Sequence, residues 1–409
     1  MEDLISKPKE RILVIDGLRG FSLLGIVLVH ISGWFIAGGI PDAVWQKYQN
    51  DVGTAIANYF GGIFLDGKFY TLFSFLFGLS FALQLFQRKD KDPHFIGRFM
   101  WRLVILFIIG FIHHIHWKGD ILGIYAILGF LMILFRNASD KILWIGILFF
   151  ILNTPIIIKG IVDGNKPKEK SKTEKEQKIE SDKYAKETLD SYNTLKSGSY
   201  PAVIKQNFRD FKYKADFQFE SGRIYITLGF FLLGLWVGRR KFFDNFEANK
   251  PFFKKIMWWC LGSNVIIIAF LVSLSLSNLW EKLGNWGNLI GGTLYNFHCV
   301  TMTVFYITSI SLLLNLQSMR WILDKFSAVG KMGLTNYLLQ SVLGVILFYG
   351  IGFGLAGNFN AGWCYLIGIA IFILQIVVSK WWLSNFIYGP MEWLWRSATY
   401  LKWQPMRRD

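Results

Sequence analysis

Three ionisable residues lie in one apolar stretch near the N-terminus, Ile15 to His30, which reads IDGLRGFSLLGIVLVH. They are Asp16, Arg19 and His30, and ionisable groups inside a membrane-spanning helix are costly enough to indicate a functional site. Arg19 and His30 are separated by roughly 16 Å along a helix, about half of a ~30 Å hydrocarbon core. The stretch therefore predicts one helix with a cation near one membrane face and an imidazole toward the other.

A set of polar residues, half of them arginines, is predicted on the same side of the membrane as Asp16 and Arg19. Its other members are Arg98, Arg102, Asn336, Gln340, Glu392 and Arg396, the last four from GLTNYLLQS and GPMEWLWR. Guanidinium groups pair with phosphate oxygens, so this side suits a phosphate-bearing donor from the cytosol. Two ordinary roles stay open, because Asp16 and Arg19 can neutralise each other and the other arginines can be interfacial anchors.

Histidines gather toward the opposite side. His113, His114, His116 and His298 join His30 there, and Asp120 follows the cluster. An imidazole can act as a general base or nucleophile, and a carboxylate can orient it. Hydrogen-bonded packing is the ordinary alternative, and a metal site is disfavoured because no HExxH pattern occurs. Together the two sides suggest group transfer across a bilayer.

The elements that position these residues are predicted to be transmembrane helices. The chain has 409 residues, is 53% hydrophobic, and contains repeated runs of about 17 to 25 apolar residues. This pattern predicts an all-α, polytopic membrane bundle. We expect ten spans, at 12–37, 68–87, 98–117, 119–135, 141–161, 222–238, 256–277, 289–314, 333–352 and 361–383. The apolar patch 55–65 is expected to be interfacial or re-entrant.

Lysine and arginine concentrate in alternate loops, which places both termini in the cytoplasm. The net charge of +16 follows from those loops, so nucleic-acid binding is not expected. The order predicts an N-terminal membrane half (1–161), an extracytoplasmic charged loop (162–221) and a C-terminal membrane half with a cytoplasmic tail (222–409). In the loop, NKPKEKSKTEKEQKIESDK should be mobile, and short helices should follow from Tyr184. The three cysteines form no CxxC pair and predict no disulfide framework.

Several motifs in this order resemble the YeiB-like bacterial membrane family. They are RILVIDGLRG, FYTLFSFLFGLSFAL, IGFIHHIHWKGDILGIYAILG, GLTNYLLQS and GPMEWLWR, and the last two are similar to its C-terminal domain of unknown function 418. That family is similar to the transmembrane acyltransferases, which include the lysosomal heparan glucosaminide acetyltransferase and bacterial O-acyltransferases of surface sugars. In the latter, an arginine and a histidine separated by ten residues mark the first helix, and Arg19 and His30 match this spacing. His113 falls on a histidine typical of the YeiB-like family, so both histidines are candidates.

The resemblance implies an acyltransferase of the bacterial inner membrane. Acyl-CoA, with acetyl-CoA as the expected donor, would load from the cytoplasm, and an extracytoplasmic sugar or lipid-linked glycan would be the acceptor. We expect Arg19, Arg102 and Arg396 to hold donor phosphates, with Asp16 and Glu392 orienting these arginines and with Asn336 and Gln340 also in the donor site. His30 or His113 would act as the base or acyl carrier, and Asp120 would position His113. A transporter of a polar or anionic solute and a non-catalytic envelope protein are the alternatives. A homodimer is compatible with the sequence, which does not fix the oligomeric state.

Overall fold

The computed structural model describes residues 13–88, 93–164, 174–277 and 283–408, and these ranges are mostly helical. The eighteen α-helices of the described residues, in chain order, are α1 Leu13–Ser32, α2 Asp42–Trp45, α3 Val52–Phe60, α4 Phe69–Arg88, α5 Phe95–His116, α6 Leu122–Leu134, α7 Asp140–Ile151, α8 Thr154–Gly164, α9 Glu174–Ser197, α10 Tyr200–Arg209, α11 Phe211–Glu220, α12 Arg223–Arg239, α13 Phe246–Leu276, α14 Asn285–Leu314, α15 Arg320–Lys331, α16 Gly333–Phe348, α17 Ala361–Asn385 and α18 Pro390–Tyr400. Within the described ranges no strand forms, and Phe386 and Arg407 make an isolated antiparallel bridge. The predicted all-α class is confirmed.

Six helical stretches among the described residues are long and apolar enough to cross a membrane. Three bent pairs of helices pass the same test together, which raises the number to as many as nine. The prediction of ten spans is therefore not confirmed, and the orientation of the termini stays a prediction. The predicted span 119–135 corresponds to α6, which has thirteen residues and is shorter than the ~20 residues that a ~30 Å hydrocarbon core requires.

An interruption of the regular α-helix separates the patch 55–65 from the span that follows it. Helix α3 ends at Phe60, a π-helical turn covers Gly61–Leu65, and α4 starts at Phe69. The whole stretch Val52–Phe86 is nevertheless apolar enough to count as one candidate span. The expected interfacial or re-entrant position of this patch therefore stays a prediction.

Helix α1 lies in the interior of the bundle and packs against α4, α15 and α17. Glycines permit its closest approach to a neighbour. A Cβ atom at Gly20 would overlap the carbonyl oxygen of Phe326, and one at Gly330 would overlap the carbonyl oxygen of Asp16. Small residues at such seams are the usual means by which membrane helices bring their backbones together. This packing fixes the height of Asp16 and Arg19 in the bundle.

The charged loop carries more helix than its composition suggests. Residues 165–173 lie outside the described residues, and α9 begins at Glu174, inside the segment that was expected to be mobile. Tyr192 and Leu195 of α9 and Val203 of α10 are buried. Helix α10 packs on α5 and α11 packs on α12, so the expected helices of the loop cover one end of the bundle.

Candidate functional site

The predicted basic residues from α1 and α5 converge on one face of α4. Arg19 donates from Nη1 to Asp16 Oδ1 at 2.5 Å and from Nη2 to Ser80 Oγ at 2.6 Å. One turn further along α4, Gln84 accepts from Arg102 Nη1 at 3.0 Å. Gln84 also donates to the Ser80 carbonyl oxygen, which joins the two arginine positions. Ser80 lies in the motif FYTLFSFLFGLSFAL and Gln84 follows it, but nothing local to a neutral polar residue indicates that an arginine of another helix is its partner.

Arg396 adds a third guanidinium group from α18. Its Cζ lies 5.0 Å from the ring centroid of Tyr388 and 5.4 Å from that of Tyr400. Neighbouring Trp395 stacks under Arg102 at 4.0 Å, so α18 carries both groups to the same end of the bundle. Within the described ranges the Arg396 guanidinium has no hydrogen-bond acceptor, and its Nε is buried. We call Arg19, Arg102 and Arg396 the arginine cluster.

Glu392 lies at the same end but has internal partners. Its Oε1 accepts the backbone N–H groups of Leu334 and Thr335, and its Oε2 accepts the Thr335 hydroxyl at 2.5 Å. The carboxylate therefore caps the N-terminus of α16, where the helix dipole favours an anion. Burial raises the pKa of Glu392, while the hydrogen bonds from Thr335 and Leu334 act in the opposite direction.

Asn336 and Gln340 belong to a buried chain of amides. Asn336 donates to the Val329 carbonyl oxygen and to Ser379 Oγ, and Gln340 donates to the Leu23 carbonyl oxygen and to Gln375 Oε1. These bonds join α16 to α1, α15 and α17. The structure thus gives both amides a packing role apart from the arginine cluster, and their predicted role in donor binding stays a prediction.

At the opposite end of α5, the structure brings His113 and Asp120 together. His113 Nδ1 lies 2.9 Å from Asp120 Oδ1, and its Nε2 lies 2.5 Å from Ser341 Oγ. Asp120 also accepts the backbone N–H groups of Leu122 and Gly123, which fixes its carboxylate at the start of α6. All three side chains in this Ser341–His113–Asp120 chain are buried. Ser341 ends the motif GLTNYLLQS, but it lies 228 positions from His113, and nothing in the sequence indicated that the two side chains meet.

His30 packs against the same Trp117 ring as His113 but differs in its hydrogen bonding. The Trp117 ring meets His30 edge-on at 4.8 Å and lies 5.4 Å from His113. His30 is half-buried, and its two ring nitrogens have no partner in the part of the chain that the structure describes. An imidazole whose ring nitrogens have no hydrogen-bond partner can take a proton from a bound substrate.

The remaining histidines of this end have structural partners. His114 pairs with the Asn207 carbonyl oxygen and Lys214 Nζ, His116 with Tyr200, and His298 with Asn264 and the Ile63 carbonyl oxygen. Among the described residues no group of three or more His, Cys, Asp or Glu side chains could hold a metal ion. The expectation of a metal-free site stays a prediction.

The sequence analysis missed a cation at the start of α12. Arg223 begins this helix, and its guanidinium lies 5.1 Å from the ring centroid of Tyr70 and 4.9 Å from that of Phe217. Aromatic stacking of this kind is typical of arginine at a membrane boundary. Arg223 was overlooked because it immediately precedes an apolar run, where a cation is usually an anchor.

The loop helices are held on this end by a buried ion pair. Lys118 Nζ lies 2.6 Å from Asp210 Oδ2 and 3.1 Å from Ser191 Oγ, and Lys118 is only 7% exposed. Replacing Lys118 with alanine should lower the free energy of unfolding by about 3–5 kcal/mol, because Asp210 would stay buried without its cation. The thermal midpoint of the purified protein in detergent measures this effect.

Two controls separate this pair from a general effect of removing lysine. The double variant Lys118→Ala with Asp210→Ala should recover part of the loss, since it leaves no unpaired carboxylate. Lys47 is exposed, and Lys47→Ala should change stability by no more than about 0.5 kcal/mol. Equal midpoints for Lys118→Ala and Lys47→Ala would show that the pair does not hold the loop.

The chain is similar in sequence to one protein family and to several bacterial proteins. A family model described as "Protein of unknown function (DUF418)" matches residues 237–402. "Uncharacterized protein YxaH" of Bacillus subtilis is 31% identical over 417 residues, which covers 98% of this chain and 96% of the relative. "Uncharacterized protein YeiB" of Escherichia coli is 26% identical, over 95% of this chain and 96% of the relative. No solved structure matches.

Proposed function

We propose an activity for this chain from the premise that it belongs to the YeiB-like DUF418 family. The proposed activity is acyl transfer across a bacterial inner membrane. An acyl-CoA, with acetyl-CoA as the simplest donor, would bind on the cytoplasmic side. A hydroxyl or amine of a sugar or lipid-linked acceptor would receive the acyl group on the outer side.

The arginine cluster supports a donor site for CoA phosphates. Arg102 stacks on Trp395 of α18, the residue next to Arg396. Arg19 of α1 bonds to Ser80 of α4, one turn from Gln84, the residue that accepts from Arg102. Phosphates carry several acceptor oxygens, and the unpartnered Arg396 guanidinium offers donors in a planar fork that matches them. A bound phosphate would also offset the desolvation of the partly buried charges.

His30 supports the acceptor side of the reaction. One of its nitrogens would take the proton of the acceptor hydroxyl or amine while that group attacks the acyl carbonyl. The proton then passes from the imidazole to the leaving group, so the ring is regenerated in each cycle. The Trp117 and Phe35 rings beside His30 would limit access of bulk water, which otherwise competes as an acyl acceptor.

One observation carries the proposal. A single helix, α1, has a member of the arginine cluster near one end and, near the other, a half-buried imidazole without a hydrogen-bond partner in the part of the chain that the structure describes. Groups with this placement could hold the phosphates of a donor while its acyl end extends toward the opposite side. Arg19 has partners in Asp16 and Ser80, but a packing role alone does not account for the unpartnered His30, because polar groups inside a bundle are normally paired.

The first test is thermal stabilisation of the detergent-solubilised protein by acetyl-CoA and by CoA. A ligand that binds only the folded state adds about 2.7 kcal/mol at 100 times its dissociation constant. The stabilisation should be lost in Arg19→Ala and kept in Arg320→Ala, since Arg320 is an exposed cation paired with Asp324 on α15. No shift with either ligand would contradict the proposal and favour the alternative of solute transport, which vesicle flux would then measure.

A further inference from the structure

The chain Ser341–His113–Asp120 has the bonding order of a nucleophilic triad. His113 Nε2 lies 2.5 Å from the serine oxygen, and its Nδ1 lies 2.9 Å from the carboxylate. In serine hydrolases the same order lets the imidazole take the serine proton while the carboxylate fixes its tautomer. Asp120 is itself held by the N–H groups of Leu122 and Gly123, so its orientation is set by backbone.

We propose that Ser341 is a transient acyl carrier, activated by His113 and Asp120, between the thioester donor and the final acceptor. The inference rests on the proposed acyltransferase function and adds a covalent step to it. The two histidines, which both contact the Trp117 ring, then have separate tasks. His113 serves the serine, and His30 serves the acceptor.

The covalent step balances without any further reactant. Ser341 Oγ attacks the thioester carbonyl carbon as its proton moves to His113 Nε2, and the tetrahedral adduct expels the CoA thiolate, which takes that proton as CoASH. A serine ester remains. In the second half, the acceptor oxygen or nitrogen attacks the ester carbonyl and gives its proton to His30. The same proton is then returned, by way of His113 Nε2, to the Ser341 oxygen, which leaves as the alcohol, so both imidazoles end the cycle neutral.

Burial bears on this step in two ways. Ser341 is 2% exposed and His113 is 8% exposed, so a serine ester at this position would be shielded from hydrolysis. The thioester must reach Ser341 through local opening between α5 and α16, which carry the two side chains.

The Ser341 hydroxyl proton has two possible acceptors. Ser341 Oγ lies 2.7 Å from the Leu338 carbonyl oxygen as well as 2.5 Å from His113 Nε2. Attack on a thioester requires this proton to be donated to His113.

The test is isotope exchange between labelled CoA and acetyl-CoA with no acceptor present. A covalent serine ester permits this exchange, because formation of the ester is reversible and releases CoA before any acceptor binds. Direct transfer from donor to acceptor does not permit it. We expect exchange by the unmodified protein, a loss of at least about 100-fold in Ser341→Ala and His113→Ala, and a reduction on the order of 10²- to 10⁴-fold in Asp120→Asn.

Further variants distinguish an acyl-carrier role of Ser341 from a purely structural role. Ser341→Cys should retain exchange and accumulate a thioester that hydroxylamine cleaves. Ser379→Ala removes another buried serine, one that accepts a hydrogen bond from Asn336, and should leave exchange unchanged. Ser341→Ala should still be stabilised by acetyl-CoA, which shows that the variant folds and binds the donor.

Three outcomes would overturn the carrier role. They are exchange that persists in Ser341→Ala, a trapped acetyl group on a peptide other than the one containing Ser341, or no exchange by a protein that acetyl-CoA stabilises. In each of these the proposed acyltransferase function survives. Absence of stabilisation by acetyl-CoA contradicts the function itself, so the two failures are distinguishable.

Discussion

Replacing His30 with alanine is expected to slow acyl transfer to an acceptor by about 10²- to 10⁴-fold, the usual contribution of a positioned general base. The ring nitrogens of His30 have no hydrogen-bond partner among the described residues, whereas both nitrogens of His113 are already occupied. The measurement is incorporation of labelled acetyl groups from acetyl-CoA into lipid and polysaccharide extracts of the bacterial envelope. Stabilisation by acetyl-CoA should be unchanged, because His30 lies at the opposite end of α1 from Arg19.

The control for His30 is a histidine at the same end of the bundle with a different environment. His116 bonds to the Tyr200 hydroxyl through Nδ1, and His116→Ala should transfer at the normal rate. His30→Ala should also retain exchange between CoA and acetyl-CoA if Ser341 carries the acyl group. Equal transfer rates for His30→Ala, His116→Ala and the unmodified protein would exclude His30 as the base and leave His113 as the candidate.

Much of the fold could be predicted because the bilayer imposes a simple pattern on sequence. Helices α1, α4, α5, α14 and α17 lie within a few residues of the predicted spans. Hydropathy marks the apolar part of a helix, however, and a helix can extend beyond that part. The predicted span 256–277 starts ten residues after α13 begins at Phe246, because the first turns of α13 carry Lys250, Lys254 and Lys255 and are not apolar. The Lys/Glu-rich start of α9 was likewise not predicted as helix, although low hydropathy does not prevent helix formation.

The candidate site was predictable where its residues are neighbours in sequence. Asp16 and Arg19 are three apart on one helix, and His113 and Asp120 are joined by a short turn, so their pairing follows from local geometry. Ser341 comes from α16, and its distance from His113 depends on how α5 and α16 pack. Residue type indicated that Glu392 could orient an arginine, but packing placed it at the N-terminus of α16. Partners across helices require the tertiary fold.

Replacing Arg396 with alanine is expected to weaken acetyl-CoA binding by about 10- to 100-fold. This corresponds to loss of one charge-assisted contact to a phosphate, about 1.5–3 kcal/mol. The guanidinium stacks on Tyr388 and Tyr400, and its Nε is buried without an acceptor, so the free protein loses few polar contacts on substitution. Titration of the thermal midpoint with acetyl-CoA gives the change in dissociation constant.

The salt dependence of binding distinguishes phosphate contact from packing. Removal of a guanidinium that binds phosphate should reduce the effect of ionic strength on affinity, because a screened charge pair is gone. Arg396→Lys should bind with intermediate affinity, since lysine keeps the charge but loses the planar fork. Arg240, which pairs with Asp140, supplies the matched control, and Arg240→Ala should bind acetyl-CoA normally. If Arg396→Ala binds as tightly as Arg240→Ala at every salt concentration, the donor phosphates do not lie against α18, and the arginine cluster serves to anchor that helix.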